Sequence, residues 1–479
     1  MIDVKVNGRL YKAEKGKNLL AFLQENGFSV DSPCGGRQLC GKCRIFDKQQ
    51  HGYILACQNT VSENMDLQLD EHVKATSIFT KNDLSDYKGQ NGYGMAIDIG
   101  TTTVAYYLVD LSTKTIIDQK SELNDQRIYG ADVISRISYC QTGKLGEMGN
   151  LIHRQISNRM ASMMQDAKID TLAKAVVVGN TTMMHIFTKE DPSSLGYSPY
   201  TPVFLESRLY EGYDLGIPAK KIIIPPAISA FVGADLTAGI LSSGMLDETT
   251  ALLIDLGTNG EIVLKKGNDF FATSTATGPA FEGANIEKGM GGVEGAINHV
   301  RIKDDKIAYE TISGNPIGLS GSGLIDLVAI LLKKGIIDET GCFDTSKLKE
   351  KKDFYLTENV YLTQKDIRQF QLAKSAVISG IETLAEMANV ELKTINMTFL
   401  AGGFGFYLNL ENAFYTGLLP KELRGKITSV GNSAGSGAIQ MLLDSRTVDS
   451  ISEITENVKI IDLSNNRKFT DRFMNNMLF

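Results

Sequence analysis

The sequence contains no tryptophan, and aromatic residues make up only 8% of it. Platforms for stacking nucleobases are therefore not suggested. Basic residues are also in deficit, with 49 Lys and Arg against 56 Asp and Glu, for a formal charge of −7. A nucleic-acid binder usually presents a basic face, so that class is disfavoured. No apolar run reaches the ~18 residues that a membrane helix needs. The opening residues MIDVKVNGRLYK read as a strand rather than a signal with an apolar core. The expectation is a cytoplasmic protein that engages neither nucleic acid nor membrane. Cysteine is scarce as well, at six in 479 residues, far too few for a disulfide scaffold. What is present is enough for ordinary cores: 43% of residues are apolar. At ~150 residues per domain, the length suggests about three domains.

The cysteines are unevenly placed. Cys34, Cys40, Cys43 and Cys57 fall close together, whereas Cys140 and Cys342 stand alone and read as plain thiols. Ahead of the cluster, residues 2–6 alternate, Asn7-Gly8 signals a tight hairpin, and residues 18–26 place Leu19, Leu20 and Leu23 on one helical face. The loop SPCGGRQLCGKC then gives Cys-x5-Cys-x2-Cys, with Cys57 as a fourth thiolate. Thiolates on a glycine-rich loop suit a [2Fe–2S] cluster, because Gly35, Gly36 and Gly41 let backbone N–H groups turn toward the sulfides. A structural zinc site is the rival, but it usually shows two Cys-x2-4-Cys pairs. Residues 1–78 form this head, which resembles plant-type and adrenodoxin-like ferredoxins. That resemblance implies a β-grasp fold. The separation of Cys43 from Cys57 is shorter than in those families, so the hairpin between them should be short.

Residues 79–93 are polar and glycine-containing and read as a linker. Beyond it one pattern occurs twice. MAIDIGTTTVAYYLVD and ALLIDLGTNGEIVL are each an apolar strand ending in Asp, a Gly/Thr turn and a second strand, with Asp98 and Asp255 offset by 255 − 98 = 157 positions. A second pair, VVVGNTT at 176–182 and FLAGGFG at 399–405, is in each case a buried-type strand feeding a glycine turn. The repetition predicts two related α/β lobes around a cleft, over residues 94–250 and 251–479. Gly100 and Gly257 permit close approach of a phosphate. Thr101, Thr102, Thr103 and Thr258, with Asn259 and Gly260 completing the second turn, supply hydroxyl and N–H donors. Asp98 and Asp255 can hold Mg²⁺, usually through water, or orient an attacking water. Gly402 and Gly403 would border a base or ribose.

The layout resembles the acetate and sugar kinase/heat-shock protein 70/actin superfamily. Residues 98–103 and 255–260 match its two phosphate motifs, and residues 400–405 (including Gly402, Gly403 and Phe404) match its adenosine motif. By the same resemblance, Gln371 and Lys374 would reach the nucleotide; otherwise they lie on a solvated helix face. IYGADVISR, VGNTTMMH, TGPAFEGA, SGSGLID, QKDIR and VGNSA narrow it further. Together with the ferredoxin head they resemble the reductive activators of corrinoid proteins.

That resemblance implies ATP, Mg²⁺ and a [2Fe–2S] cluster as cofactors. It implies the reduction of cob(II)amide to cob(I)amide on the corrinoid protein of a methyltransferase system, and a separate electron donor. Better-known activators carry a further domain, associated with dimerisation, after the ferredoxin. Only the linker stands in that place here, so homodimerisation is left open. Alternatives are an ATP-driven electron donor to another low-potential metalloenzyme, and a redox-sensing ATP-binding regulator. A plain sugar kinase leaves the head unexplained.

Several positions have competing readings. Asp132 and Asp235, in repeated Gly-Ala-Asp triplets, face the cleft or complement helix N-termini. Ser320 is an N-cap or a phosphate contact. Thr363-x-x-Asp366 opens a helix by a capping box. His185 and Met183-Met184 read as core, and Glu282 lines either the cleft or a partner surface. Residues 446–479 should give a strand and an amphipathic helix packed on the second lobe.

Overall fold

The computed structural model describes residues 1–26, 28, 30, 43–49, 52–69, 91–130, 132–348, 352–402 and 408–479. Cys34, Cys40, Gly403, Phe404 and most of the linker at 79–93 lie outside the described residues.

At the head, Ile2–Val6 and Arg9–Ala13 pair antiparallel from Ile2↔Ala13 to Val6↔Arg9. Asn7 and Gly8 both take positive φ (47° and 84°), the geometry a two-residue hairpin of matching twist demands. Met65–Gln68 pairs parallel with the first strand and antiparallel with Arg44–Asp47. The latter forms a short hairpin with Gly52–Leu55, as the cysteine spacing predicts. The helix Leu19–Glu25 covers this mixed five-stranded sheet, burying Leu19, Phe22 and Leu23 with Val4, Val6, Ile45 and Leu67.

Two six-stranded sheets follow, and they share one succession of pairings. In the first, Tyr93–Ile99, Thr103–Asp110 and Thr115–Leu123 form an antiparallel meander. Lys174–Gly179 adds parallel to the first of these and Lys221–Ile224 parallel to that. In the second, Thr250–Leu256, Gly260–Lys266 and Asp269–Thr275 form the meander. Met397–Ala401 adds parallel to the first strand and Ile427–Gly431 parallel to that. Asp98 and Asp255 therefore occupy matching places, each one residue before the end of a central strand.

The cores do not follow the chain order. The helix Ser433–Leu443, late in sequence, buries Ala438, Ile439, Met441 and Leu442 in the core that holds the first sheet. It lies against the helix Ala234–Ser242, where Ser242 Oγ donates to the Ser433 carbonyl at 2.7 Å. The tail gives the short strand Lys459–Ile460, parallel to Phe271–Ala272, and the helix Arg467–Asn475, which leaves Met477 beyond its end. That helix packs on the helix Gln364–Met387, whose Ile367, Phe370, Val377, Ile381 and Leu384 are all buried.

Capping follows the sequence signals. Ser320 accepts from Gly323 N, and Thr363 and Asp366 form a complete capping box. His185 is a satisfied core residue, its Nδ1 2.8 Å from the Thr181 carbonyl and its Nε2 accepting from Val203 N at 3.0 Å. Among the described residues, no helix is long and apolar enough to cross a membrane.

Candidate functional site

The two Gly/Thr turns are built alike. In the first, the Gly100 carbonyl accepts Asn124 Nδ2 at 2.8 Å and the Thr102 carbonyl accepts Asn124 N at 2.9 Å. The Thr101 carbonyl takes the buried Arg136 guanidinium. In the second, Thr277 Oγ1 donates to the carbonyls of Gly257 (3.0 Å) and Thr258 (2.9 Å), and the Asn259 carbonyl accepts Gly257 N at 2.9 Å. Three acceptors in each turn are thus committed to protein donors. The hydroxyls of Thr102 and Thr258 instead converge on one atom: Glu282 Oε2 accepts them at 3.2 Å and 3.0 Å. Asn180, at the end of the strand–glycine turn, caps the helix Thr181–Thr188 and gives its Nδ2 to Thr101 Oγ1 at 3.1 Å.

The acids form a mutually repelling group. Burial, then Asp235, pushes the Asp98 carboxyl up to about 7, against a hydrogen bond from Asn432. Burial, then Asp235 and Glu282, raises Asp255 to about 7 as well. Asp235 rises to about 6 by burial. Glu261, directly across from Asp255 in the strand register, is driven well above the usual carboxylate range by burial, Asp235 and Asp255. Burial likewise raises Glu282. The repulsion points to a site that takes a cation. No three acidic, His or Cys side chains among the described residues are gathered as a direct metal site. Carboxylate oxygens such as those of Asp98 and Asp255 are donors of the kind a hard divalent cation takes.

Gly402 closes this floor. Its φ is +89°, and a Cβ there would stand 3.0 Å from Asp255 Oδ1. From the other sheet's side, Asn432 Nδ2 donates to Asp98 Oδ2 at 2.9 Å and to Tyr107 Oη at 3.1 Å. Asn432 lies in the VGNSA motif, and no local signal gives it this role. Asn180 and Arg136 likewise lie in recognisable motifs and Asn124 lies in none, and nothing local gives any of them its place here.

Three of the expected residues have other partners. Asp132 caps the helix Val133–Tyr139 through Ser135 N, while its counterpart Asp235 joins the acid group. Gln371 and Lys374 are not solvated: they are 1% and 2% exposed. Gln371 Nε2 donates to the Met477 carbonyl at 2.7 Å, and the Lys374 ammonium is held by the Leu478 carbonyl. Burial lowers that ammonium to about 8.

In the head, hairpin pairing brings Cys43 and Cys57 together, with Ala56 N donating to the Cys43 carbonyl at 2.8 Å. Their Sγ atoms are 3.1 Å apart and both side chains are buried. That distance is well beyond a disulfide bond of about 2.0 Å, so the two sulfurs stand side by side without a covalent bond. Cys140 is buried elsewhere, its thiol pushed up to about 11 by burial, and Cys342 is exposed.

Comparison with known proteins places the chain in a family. The family model described as the C-terminal domain of RACo, the ASKHA domain, matches residues 249–479, and that of the RACo middle region matches residues 93–248. The region given that name thus coincides with the segment read here as the first lobe. The corrinoid activation enzyme RamQ of Eubacterium limosum is 34% identical over 427 residues, covering 82% of this chain and 72% of the relative. The [Co(II) methylated amine-specific corrinoid protein] reductase of Methanosarcina barkeri is 25% identical over 404 residues, covering 76% and 73%. A solved reductive activator for a corrinoid, iron–sulfur protein superposes with a TM-score of 0.73 at 27% identity, covering 100% of this chain and 98% of that one.

Proposed function

This chain belongs to the reductive activators of corrinoid proteins, and from that premise we propose that it couples ATP to one-electron reduction of a partner's cob(II)amide to cob(I)amide. The corrinoid belongs to the partner and is the substrate. The head carries a [2Fe–2S] cluster on Cys34, Cys40, Cys43 and Cys57, and when bound the cluster supplies one electron at low potential. The β-grasp-like sheet order and the proximity of Cys43 to Cys57 support this assignment.

The two sheets are halves of one duplicated actin-like ATPase. Gly100–Thr103 and Gly257–Gly260 hold the phosphates, Asp98 and Asp255 hold Mg²⁺ through water, and Gly402, with Gly403 and Phe404, borders the adenosine. Lys374 is committed to Leu478 and braces the tail rather than touching the nucleotide. Lys374→Ala is therefore expected to cost about 1–3 kcal/mol of stability, since it removes a charge-assisted bond that ties the tail to this helix. It should change ATP affinity by no more than about twofold. Thermal melts and equilibrium binding separate these effects, and a tenfold affinity loss at unchanged melting temperature would restore the direct role.

Coupling to ATP has an energetic reason. A plant-type cluster sits near about −400 mV. An acceptor ~100–200 mV lower makes transfer uphill by roughly 2–5 kcal/mol. Preferential binding of the product state, driven by nucleotide, offsets a cost of that size.

The observation that carries this reading is the convergence of Thr102 and Thr258, one from each sheet's turn, on a single carboxyl oxygen, that of Glu282. ATP hydrolysis by the full chain is expected to require Mg²⁺ and to rise several-fold with the corrinoid partner in its Co(II) form. Equal turnover with and without that partner counts against coupling.

A further inference from the structure

Among the described residues, Glu282 is the acid that touches both Gly/Thr turns. Its Oε2 receives Thr102 Oγ1 at 3.2 Å and Thr258 Oγ1 at 3.0 Å, one hydroxyl from each turn, Thr258 directly after Gly257 and Thr102 two residues after Gly100. One anionic oxygen taking a hydroxyl from each turn is what a phosphoryl oxygen of a bound nucleotide would be at this position. Glu282 is also close to Gly257, where a Cβ would meet Oε1 at 3.5 Å. The carboxylate is therefore seated over the backbone of the second turn as well as against its hydroxyl.

The segment that carries it is anchored at one residue and free at the next. The short turn Pro279–Glu282 runs between Gly278 and Gly283, both at positive φ (69° and 81°). Phe281 is buried edge-on against Phe370, with ring centroids 5.9 Å apart. Glu282 is joined to the turns through its carboxylate, by the two hydroxyl bonds and the Thr258 backbone N–H, so rotation of its side chain releases them without moving Phe281. Asp255 adds a reason for the carboxylate to leave once a second anion approaches, since the two acids already repel.

We propose that Glu282 is a stand-in for a nucleotide phosphate: its carboxylate ties the two turns together, and an entering phosphate displaces it and takes over both hydroxyls. This rests on the ATP reading given above. It makes Glu282 a positioning residue that weakens nucleotide binding, and the weakening depends on the phosphate chain alone. Adenosine needs neither hydroxyl and should be indifferent to Glu282.

The test is equilibrium binding of ATP–Mg²⁺ and of adenosine to the full chain as wild type, Glu282→Ala and Glu282→Gln. Glu282→Ala should tighten ATP–Mg²⁺ about tenfold and leave adenosine within about twofold, since the nucleotide no longer breaks two charge-assisted bonds. Glu282→Gln preserves shape and removes the charge; it should shift ATP in the same direction by less, and it keeps the test decisive if the alanine variant folds poorly. ATP affinity that is unchanged or weaker in both variants, with wild type binding normally, overturns the stand-in role alone. Wild type that binds adenosine but not ATP–Mg²⁺ removes the ATP reading and the proposal with it. Equal tightening of ATP and adenosine also overturns it, because a general change in the fold would act on both.

Discussion

Replacing Cys57 by serine is expected to abolish electron delivery while leaving ATP affinity within about twofold. Cys57 is 3% exposed and stands 3.1 Å, sulfur to sulfur, from Cys43. Its backbone is fixed from two directions: Asn18 Nδ2 donates to its carbonyl at 3.0 Å, and its own N–H approaches Cys43 Sγ at 3.4 Å. The position is thus preorganised for a soft thiolate ligand, and a serine hydroxyl is a poor replacement for iron that prefers sulfur. The nucleotide turns lie in other sheets with their own cores, so they should be unaffected. Iron and acid-labile sulfide content, together with the visible spectrum of the purified variant, provide the check. Full cluster content with wild-type corrinoid reduction in Cys57→Ser would refute its assignment as a ligand.

The second large effect belongs to Asp98 and Asp255. Asp98→Asn and Asp255→Asn should each lower ATP turnover on the order of a hundredfold, since a cation bound there supplies several kcal/mol of charge stabilisation. The same variants should make the nucleotide-free protein more heat-stable at pH 8. The sign follows from the raised carboxyls. Both groups are pushed up to about 7 by burial and by neighbouring acids, against roughly 3.9 in an unfolded chain. Their contribution to stability is complete below the unfolded value and is lost as pH rises through about 7, where the fold must hold charges it resists. Asparagine removes that burden at pH 8; at pH 5.5 only the part of it that accrues above the unfolded value of about 3.9 is present, so the gain should shrink to about half, and it should vanish only near pH 4. Saturating Mg²⁺ and ATP should flatten the wild-type pH dependence. Melting curves between pH 4 and 8.5 report all of this. Variants less stable than wild type at pH 8 would show that the acids are not a strained cation site.

Much of this was legible in sequence because it is local. The Asn7-Gly8 turn, the helix Leu19–Glu25, the Thr363–Asp366 capping box and the two Asp-x-Gly-Thr turns are each written within a few residues. The matching places of Asp98 and Asp255 could be read because the pattern occurs twice. What escaped depends on contacts between distant segments. Asn432 meets Asp98 across 334 residues. It does so because a late helix of small residues packs into the core of the first sheet, which no periodicity announces. Lys374 lies on the expected helix, yet the tail rather than the nucleotide takes its ammonium. Glu282 carried even readings in sequence, and only the approach of Thr102 and Thr258 from separate sheets gives it a place in the cleft. Arg136 sits inside a recognisable motif, but its guanidinium beneath the Thr101 carbonyl could not be inferred from spacing.

The most direct measurement mixes the full chain, its cluster reduced, with a corrinoid protein in the Co(II) state and follows cob(I)amide absorbance with and without ATP–Mg²⁺. The expected result is cob(I)amide that appears only when reduced cluster, Mg²⁺ and ATP are all present, at one per electron the cluster gives up. Formation at the same rate and extent without ATP, or none at all while the cluster stays intact and ATP is bound, would contradict ATP-driven reductive activation.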